Sequence, residues 1–170
     1  MFGYGIAVAV YMIQKPTPSE SALTGSWVGT LEYRDFSNDS RFALGTLLRI
    51  SPSKTKGRLT FRYVYDDGPS KVIQDSEDVT FDFAKHLYQS YSSPTATAES
   101  SVIDQSSHID EHGFGKLVLL SKGKENGMDV DFRETISVQP KQLKMLRESR
   151  LPGQPFLYRH EYKLSLVSRS

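Results

Sequence analysis

The sequence predicts an all-β protein, an antiparallel up-and-down β-barrel of about ten strands. Three observations predict it. Apolar residues fall at every second position in one short run after another, the period of a half-buried strand. No window carries a convincing helical period. The linkers between runs are short and rich in turn residues, so neighbours in sequence are expected to be neighbours in space, and closing such a meander removes its exposed edges. At 170 residues, one domain with a sizeable core is expected.

The chain opens on residues 1–13, apolar and uncharged, followed by a polar, proline-containing segment, 14–21. The first run is too short to cross a bilayer as a helix, so no stable membrane span is expected. It has the length of a signal-peptide apolar region, although no basic residue precedes it. Residues 1–22 are therefore read as a signal remnant or N-terminal extension, and residues 23–170 as one barrel domain. The expected location is periplasmic or secreted. The alternative for residues 1–13 is an extra strand or helix packed on the domain.

The first barrel strand runs over 25–34, with Trp27, Gly29, Leu31 and Tyr33 on one face. The second, 42–51, puts Phe42, Leu44, Thr46, Leu48 and Ile50 together, and the third, 58–66, does the same with Leu59, Phe61, Tyr63 and Tyr65. Asp66-Asp67-Gly68-Pro69 is a hairpin signal, since glycine supplies the positive φ. A short return strand is expected at 71–74, and a separate alternating stretch at 79–83. Residues 87–91 and 100–105 read as further short strands, with a Ser/Thr/Ala-rich loop between them. The pattern then strengthens over 116–122, 129–138, 142–150 and 156–167. In the last of these Phe156, Tyr158, His160, Tyr162, Leu164 and Leu166 share a face.

Composition narrows the function. A net charge of +1 with scattered Lys and Arg gives no electrostatic footprint for nucleic acid. The absence of cysteine excludes disulfides and thiolate-held metals. No G-x-S-x-G is present, so a hydrolase elbow is not supported. The cluster His108-Ile109-Asp110-Glu111-His112 would need a helix to present both histidines to a metal; glycines flank it, so it reads as a solvated turn.

Gly25-Ser26-Trp27 resembles the G-x-W signature of lipocalins and their calycin relatives. The resemblance implies that Trp27 packs at the closed end of a barrel, under a basic residue from a late strand. By number that residue is Arg159, although its parity puts it on the outer face. Gly25, Trp27 and Gly29 also resemble the opening of nitrobindin-like haem barrels, which implies a haem-ligating histidine in the last strand, matched in place by His160. The run 29–35, taken with 65–69, looks like a set of small exported bacterial proteins without an assigned activity, which implies export.

The sharpest site prediction comes from pairing the last three strands. Glu134 interrupts the apolar face formed by Val130, Phe132, Ile136 and Val138, and Arg147 shares a face with Leu143 and Met145. If the turn at Pro140 pairs Val138 with Leu143, antiparallel counting sets Glu134 across from Arg147. If Leu151 pairs with Phe156 across Pro152-Gly153, Arg147 lies across from His160. Glu134, Arg147 and His160 then form one inward row. Tyr33, Tyr63, Tyr65, Tyr158 and Tyr162 are expected to face inward with it.

Three functions fit such a row. The first is a binding module for a small lipophilic or amphipathic molecule, with Glu134, Arg147, His160, Tyr63, Tyr158 and Tyr162 as ligand-binding residues and no cofactor or metal. The second is a haem-binding or enzymatic barrel that uses His160. The third is a structural or envelope-interaction domain with a filled barrel, in which the row is a self-satisfying network that pins strand register.

Overall fold

The computed structural model describes residues 18–35, 38–93 and 96–169. The apolar run 1–13, and with it the reading of a signal segment, lies outside the described residues. A one-and-a-half-turn helix, α1 (Pro18–Leu23), leads into eleven strands: β1 (Gly25–Arg34), β2 (Arg41–Pro52), β3 (Leu59–Asp66), β4 (Val72–Asp82), β5 (Leu87–Tyr91), β6 (Glu99–Ile103), β7 (His108–Ile109), β8 (Gly115–Glu125), β9 (Met128–Gln139), β10 (Gln142–Arg150) and β11 (Leu157–Ser168). Consecutive strands pair antiparallel along the meander except β6 and β7; β11 returns to β1, and β6 pairs with β8, closing a ten-strand barrel that, among the described residues, leaves β7 outside the ring, paired to β8 alone.

The expected short return strand and the stretch after it are one strand, β4, paired without interruption to β3 from Leu59↔Val79 to Asp66↔Val72. The polar run Gln74 to Asp78 conceals it, because polar residues occupy both faces there.

One end of the barrel is packed solid. Trp27, Leu48, Ile50, Val79, Leu117, Val138 and Leu143 are fully buried there, and Ala22 and Leu23 of α1 belong to the same core. Residues facing inward from all sides meet because side chains on a strand alternate faces. Trp27 Nε1 donates to Leu23 O (2.9 Å), which fixes α1 as the plug. Over the indole lies a guanidinium, 5.4 Å from the ring centroid. It belongs to Arg169, just past β11, rather than to Arg159. The same guanidinium donates to the carbonyls of Ala22, Ser21 (3.4 Å), Thr24 (3.2 Å) and Pro140 (3.2 Å), tying α1 and the β9–β10 turn to the chain's last residues.

Arg159 lies at the other end of β11 from Trp27, which pairs with Leu166, and it falls in a bulge. Arg147 pairs with His160, but Glu148 pairs with Tyr158, so Arg159 is the extra residue. Parity reverses at that point. Tyr158 is consequently not on the interior face: its hydroxyl donates to Glu32 O and Oε1 (3.0 Å each), and the Arg41 guanidinium stacks on its ring at 4.4 Å, all on the outer surface. Phe156 likewise lies outside, between the guanidinium groups of Arg133 (4.1 Å) and Arg150 (4.4 Å). Arg159 turns to the mouth instead, where it donates to Ser149 Oγ (2.5 Å) and pairs with Glu125.

Candidate functional site

Above the packed end the interior is hollow. A cup of about 770 Å³ opens at the far end, bordered by inward residues of β3 to β6 and β8 to β11. The row counted from sequence forms as counted: Glu134 pairs with Arg147, Arg147 with His160, and His160 continues to Tyr33 on β1. The count holds although its assumed Leu151–Phe156 pairing does not, because the extra residue of the bulge offsets the one-residue error: Ser149 pairs with Leu157 on the loop side and Arg147 with His160 beyond it.

Three tyrosines lie below and beside that row. Tyr65 and Tyr162 reach across the barrel, their hydroxyls 2.8 Å apart, and Tyr63 packs on both rings with centroids at 5.9 and 5.6 Å. The edge of His160 meets Tyr162 at 5.7 Å. On the opposite wall stand residues that sequence reasoning missed, Asp75 and Glu77 of β4, Tyr88 of β5 and Glu99 of β6, while Phe132 of β9 borders the cup beside Glu134. The signal for the first two is present, since Asp75, Glu77, Val79 and Phe81 share a parity, but the polar run 74–78 masks it.

The row is a loose network. Arg147 and Glu134 approach only to 4.0 Å, and their side chains remain 40% and 31% exposed although the barrel wall surrounds them. The exposure comes from the cup, which lets water reach them from inside. The guanidinium also sits 4.6 Å from the Phe132 ring centroid. Among the described residues Arg147 makes no hydrogen bond to the protein, so its donors remain available.

Burial decides the protonation states. It raises Glu77 to about 7, helped by the neighbouring charges of Glu134 and Asp75. It also raises Glu134, against the pull of Arg147. His160 is lowered to about 4, by burial first and then by Arg147, and so is a neutral imidazole at ordinary pH. The hydroxyls of Tyr63 and Tyr88 are held well above the usual phenol range, chiefly by burial. The cup therefore offers hydroxyl donors, a neutral imidazole, one guanidinium and four carboxyl groups.

No protein-family model matches this sequence, and no curated protein matches it. Solved structures do match in shape. The S-type phycobiliprotein lyase CPES from Guillardia theta superposes with a TM-score of 0.57 over 89% of this chain and 91% of that one, at 10% sequence identity. The barrel is calycin-like. At that identity the likeness carries the fold alone.

Two other sites can be judged by the same geometry. Asp110 Oδ1 accepts from the backbone N–H groups of His112 (2.9 Å) and Phe114 (2.8 Å), so the His108–His112 stretch is an Asx-capped turn. Among the described residues no group of three or more His, Asp or Glu is placed to hold a metal ion. Haem is not a good fit at His160. The macrocycle needs broad apolar walls and its propionates are anionic, whereas Glu77, Glu99, Glu134 and Asp75 share the cup with that imidazole.

Proposed function

We propose that this protein binds one small amphipathic molecule in the cup at the open end of the barrel. The observation that carries this reading is the half-filled interior: a cavity of about 770 Å³ whose wall holds the Arg147 guanidinium, the His160 imidazole and the Tyr88 hydroxyl, which among the described residues make no hydrogen bond to the protein. A barrel kept only for its architecture gains stability by packing apolar side chains in that space, as the closed end does. Arg147, His160, Glu134 and Tyr88 would meet the polar part of the ligand, and Tyr63, Tyr162 and Phe132 its rings or chain. Similarity to a phycobiliprotein lyase fold supports a barrel of ligand-holding type and says nothing of the ligand.

A cup-filling substitution tests the reading. Ser121→Leu and Ser90→Leu place apolar bulk in the cup without touching the closed end. Thermal-shift screening against a metabolite collection should find ligands that stabilise the wild type and leave both variants unmoved. Ligands that stabilise all three proteins equally would place binding elsewhere. Haem addition should produce no Soret shift that depends on His160; a His160-dependent band would replace this reading with the haem one.

We also read the chain as exported, from the apolar run 1–13 and the polar segment after it. Cell fractionation of the full-length chain with an antibody to the barrel tests that reading; retention in the cytoplasm contradicts it.

A further inference from the structure

The cup is unevenly charged. Asp75, Glu77, Glu99 and Glu134 border it against one interior guanidinium, Arg147, which stands beside Glu134. His160 is neutral, and Lys122 and Lys124 reach the rim from the outer face of β8, opposite Asp131 and Asp129 of β9. The wall formed by β4 and β6 thus gathers Asp75, Glu77 and Glu99, which among the described residues make no ion pair. Tyr88 stands half-buried beside them and lines the cup, and among the described residues its hydroxyl has no hydrogen-bond partner. Its field is set by Glu77, Glu134, Arg147 and Glu99.

The cup is also open at its side. β6 and β8 pair only at Val102↔Leu120 and Ile103↔Leu119. Toward the mouth, residues 99–101 pair only with β5 and residues 121–125 only with β9, so the two strands part and leave a seam. Ser100, Ser101, Ser121, Lys122 and Phe132 border the cup on one side of this seam and an outer groove of about 1140 Å³ on the other. That groove is floored by Leu87, Val102, Val118, Leu120, Leu146 and Phe156, with Val102 56% exposed.

We propose that the ligand is an amphipathic organic cation, its amino head seated among Glu77, Glu99 and the Tyr88 hydroxyl, its chain passing Phe132 through the β6–β8 seam into the outer groove. This rests on the reading of the cup as a ligand site. An ammonium group compensates the surplus carboxylates and gives Tyr88 and Tyr63 a charge to face, and aromatic rings favour a desolvated cation over an anion. The groove shares Ser100, Ser101, Ser121, Lys122 and Phe132 with the cup, and its floor is apolar, as the chain of such a molecule requires.

The test uses three simple probes on the whole chain at pH 7.5: octylamine, octanoate and butylamine, by calorimetric titration. Octylamine is expected to bind at least about tenfold more tightly than octanoate, and more tightly than butylamine. Glu77→Gln should weaken both amines. Val102→Gln, at an exposed position that leaves the barrel intact, should weaken octylamine about fivefold and leave butylamine unchanged. Octanoate binding as well as octylamine overturns the charge assignment and leaves the cup reading standing. Octylamine indifferent to Val102→Gln overturns the route through the seam. If no probe binds, the proposal falls; the cup reading falls with it only if native mass spectrometry also finds the purified protein without a bound molecule.

Discussion

Glu77 and His160 face the same cup and are displaced in opposite senses, so their effects on stability oppose each other. Glu77 titrates near 7 in the folded chain, above its ordinary 4.5. The folded state therefore holds the extra proton between those values, and stability falls as pH rises through that window. His160 titrates near 4 instead of 6.5, so the unfolded chain holds the extra proton, and stability rises with pH from about 4 to 6.5. In the wild type the two slopes largely offset. Glu77→Gln removes the falling one, and the variant should gain about 1–2 kcal/mol over wild type between pH 4.5 and 7, the unit-for-unit value being reduced by water in the cup. His160→Phe should show the reverse, a net loss of stability over the same range. Urea denaturation at half-unit pH intervals reads both; parallel pH curves for all three proteins would contradict the assignment.

The residue scale is also where reading the sequence was least secure. The alternation from Phe156 to Leu166 is regular on paper, yet Tyr158 and Phe156 lie outside the barrel and His160 and Tyr162 inside it. A bulge adds one residue without a chemical mark, and parity counted through it changes sign. Arg159 sits at the mouth while Arg169 covers Trp27 because Trp27 pairs with Leu166, at the far end of β11 from Arg159. The Glu134–Arg147 pair was legible because the β9–β10 register is regular, and His160 joined it because the bulge's extra residue offsets the one-residue error in the assumed Leu151–Phe156 pairing.

At the scale of elements, barrel closure depends on how closely β1 approaches β11. A Cβ on Gly29 would stand 2.0 Å from Lys163 O and 3.0 Å from Leu164 Cα, both backbone atoms that cannot step aside. Gly29→Ala should therefore cost at least about 2–3 kcal/mol, because the strands must part to admit a methyl group. The closed end has its own latch. Arg169→Ala removes the donor shared by the carbonyls of Ala22, Thr24 and Pro140, and should destabilise the fold by about 1–3 kcal/mol while shifting the emission of Trp27 to the red. Emission and midpoint unchanged from wild type would show that the plug holds without it.

Most elements could be read in advance because half-buried antiparallel strands write their faces into the sequence as alternation. β4 was the failure, and its cause is functional geometry rather than noise. A strand whose interior residues face water in a cup has no apolar face to display there, so Asp75 and Glu77 made it look like a loop. The carboxylate side of the cup was invisible for the same reason that it is of interest. α1 escaped because six residues hold too few turns for a helical period to emerge.

Taken whole, the molecule is a barrel of two halves. The half beneath Trp27, Leu48, Val79 and Leu143 is packed and stapled by α1 and Arg169; the half above Tyr63 and Tyr162 is hollow and polar. Stability resides in the first half, which frees the second from the demand for close packing. Filling the cup should accordingly leave the fold as stable as before, or slightly more so, while abolishing binding, which is the opposite of what a substitution in the closed end does. The most direct test of a ligand-holding cup is native mass spectrometry of the protein purified without denaturation, beside its Ser121→Leu variant. The wild type should carry a small molecule at one-to-one stoichiometry that the variant lacks; a bare chain in both spectra, or the same adduct on both, would contradict a binding site in the cup.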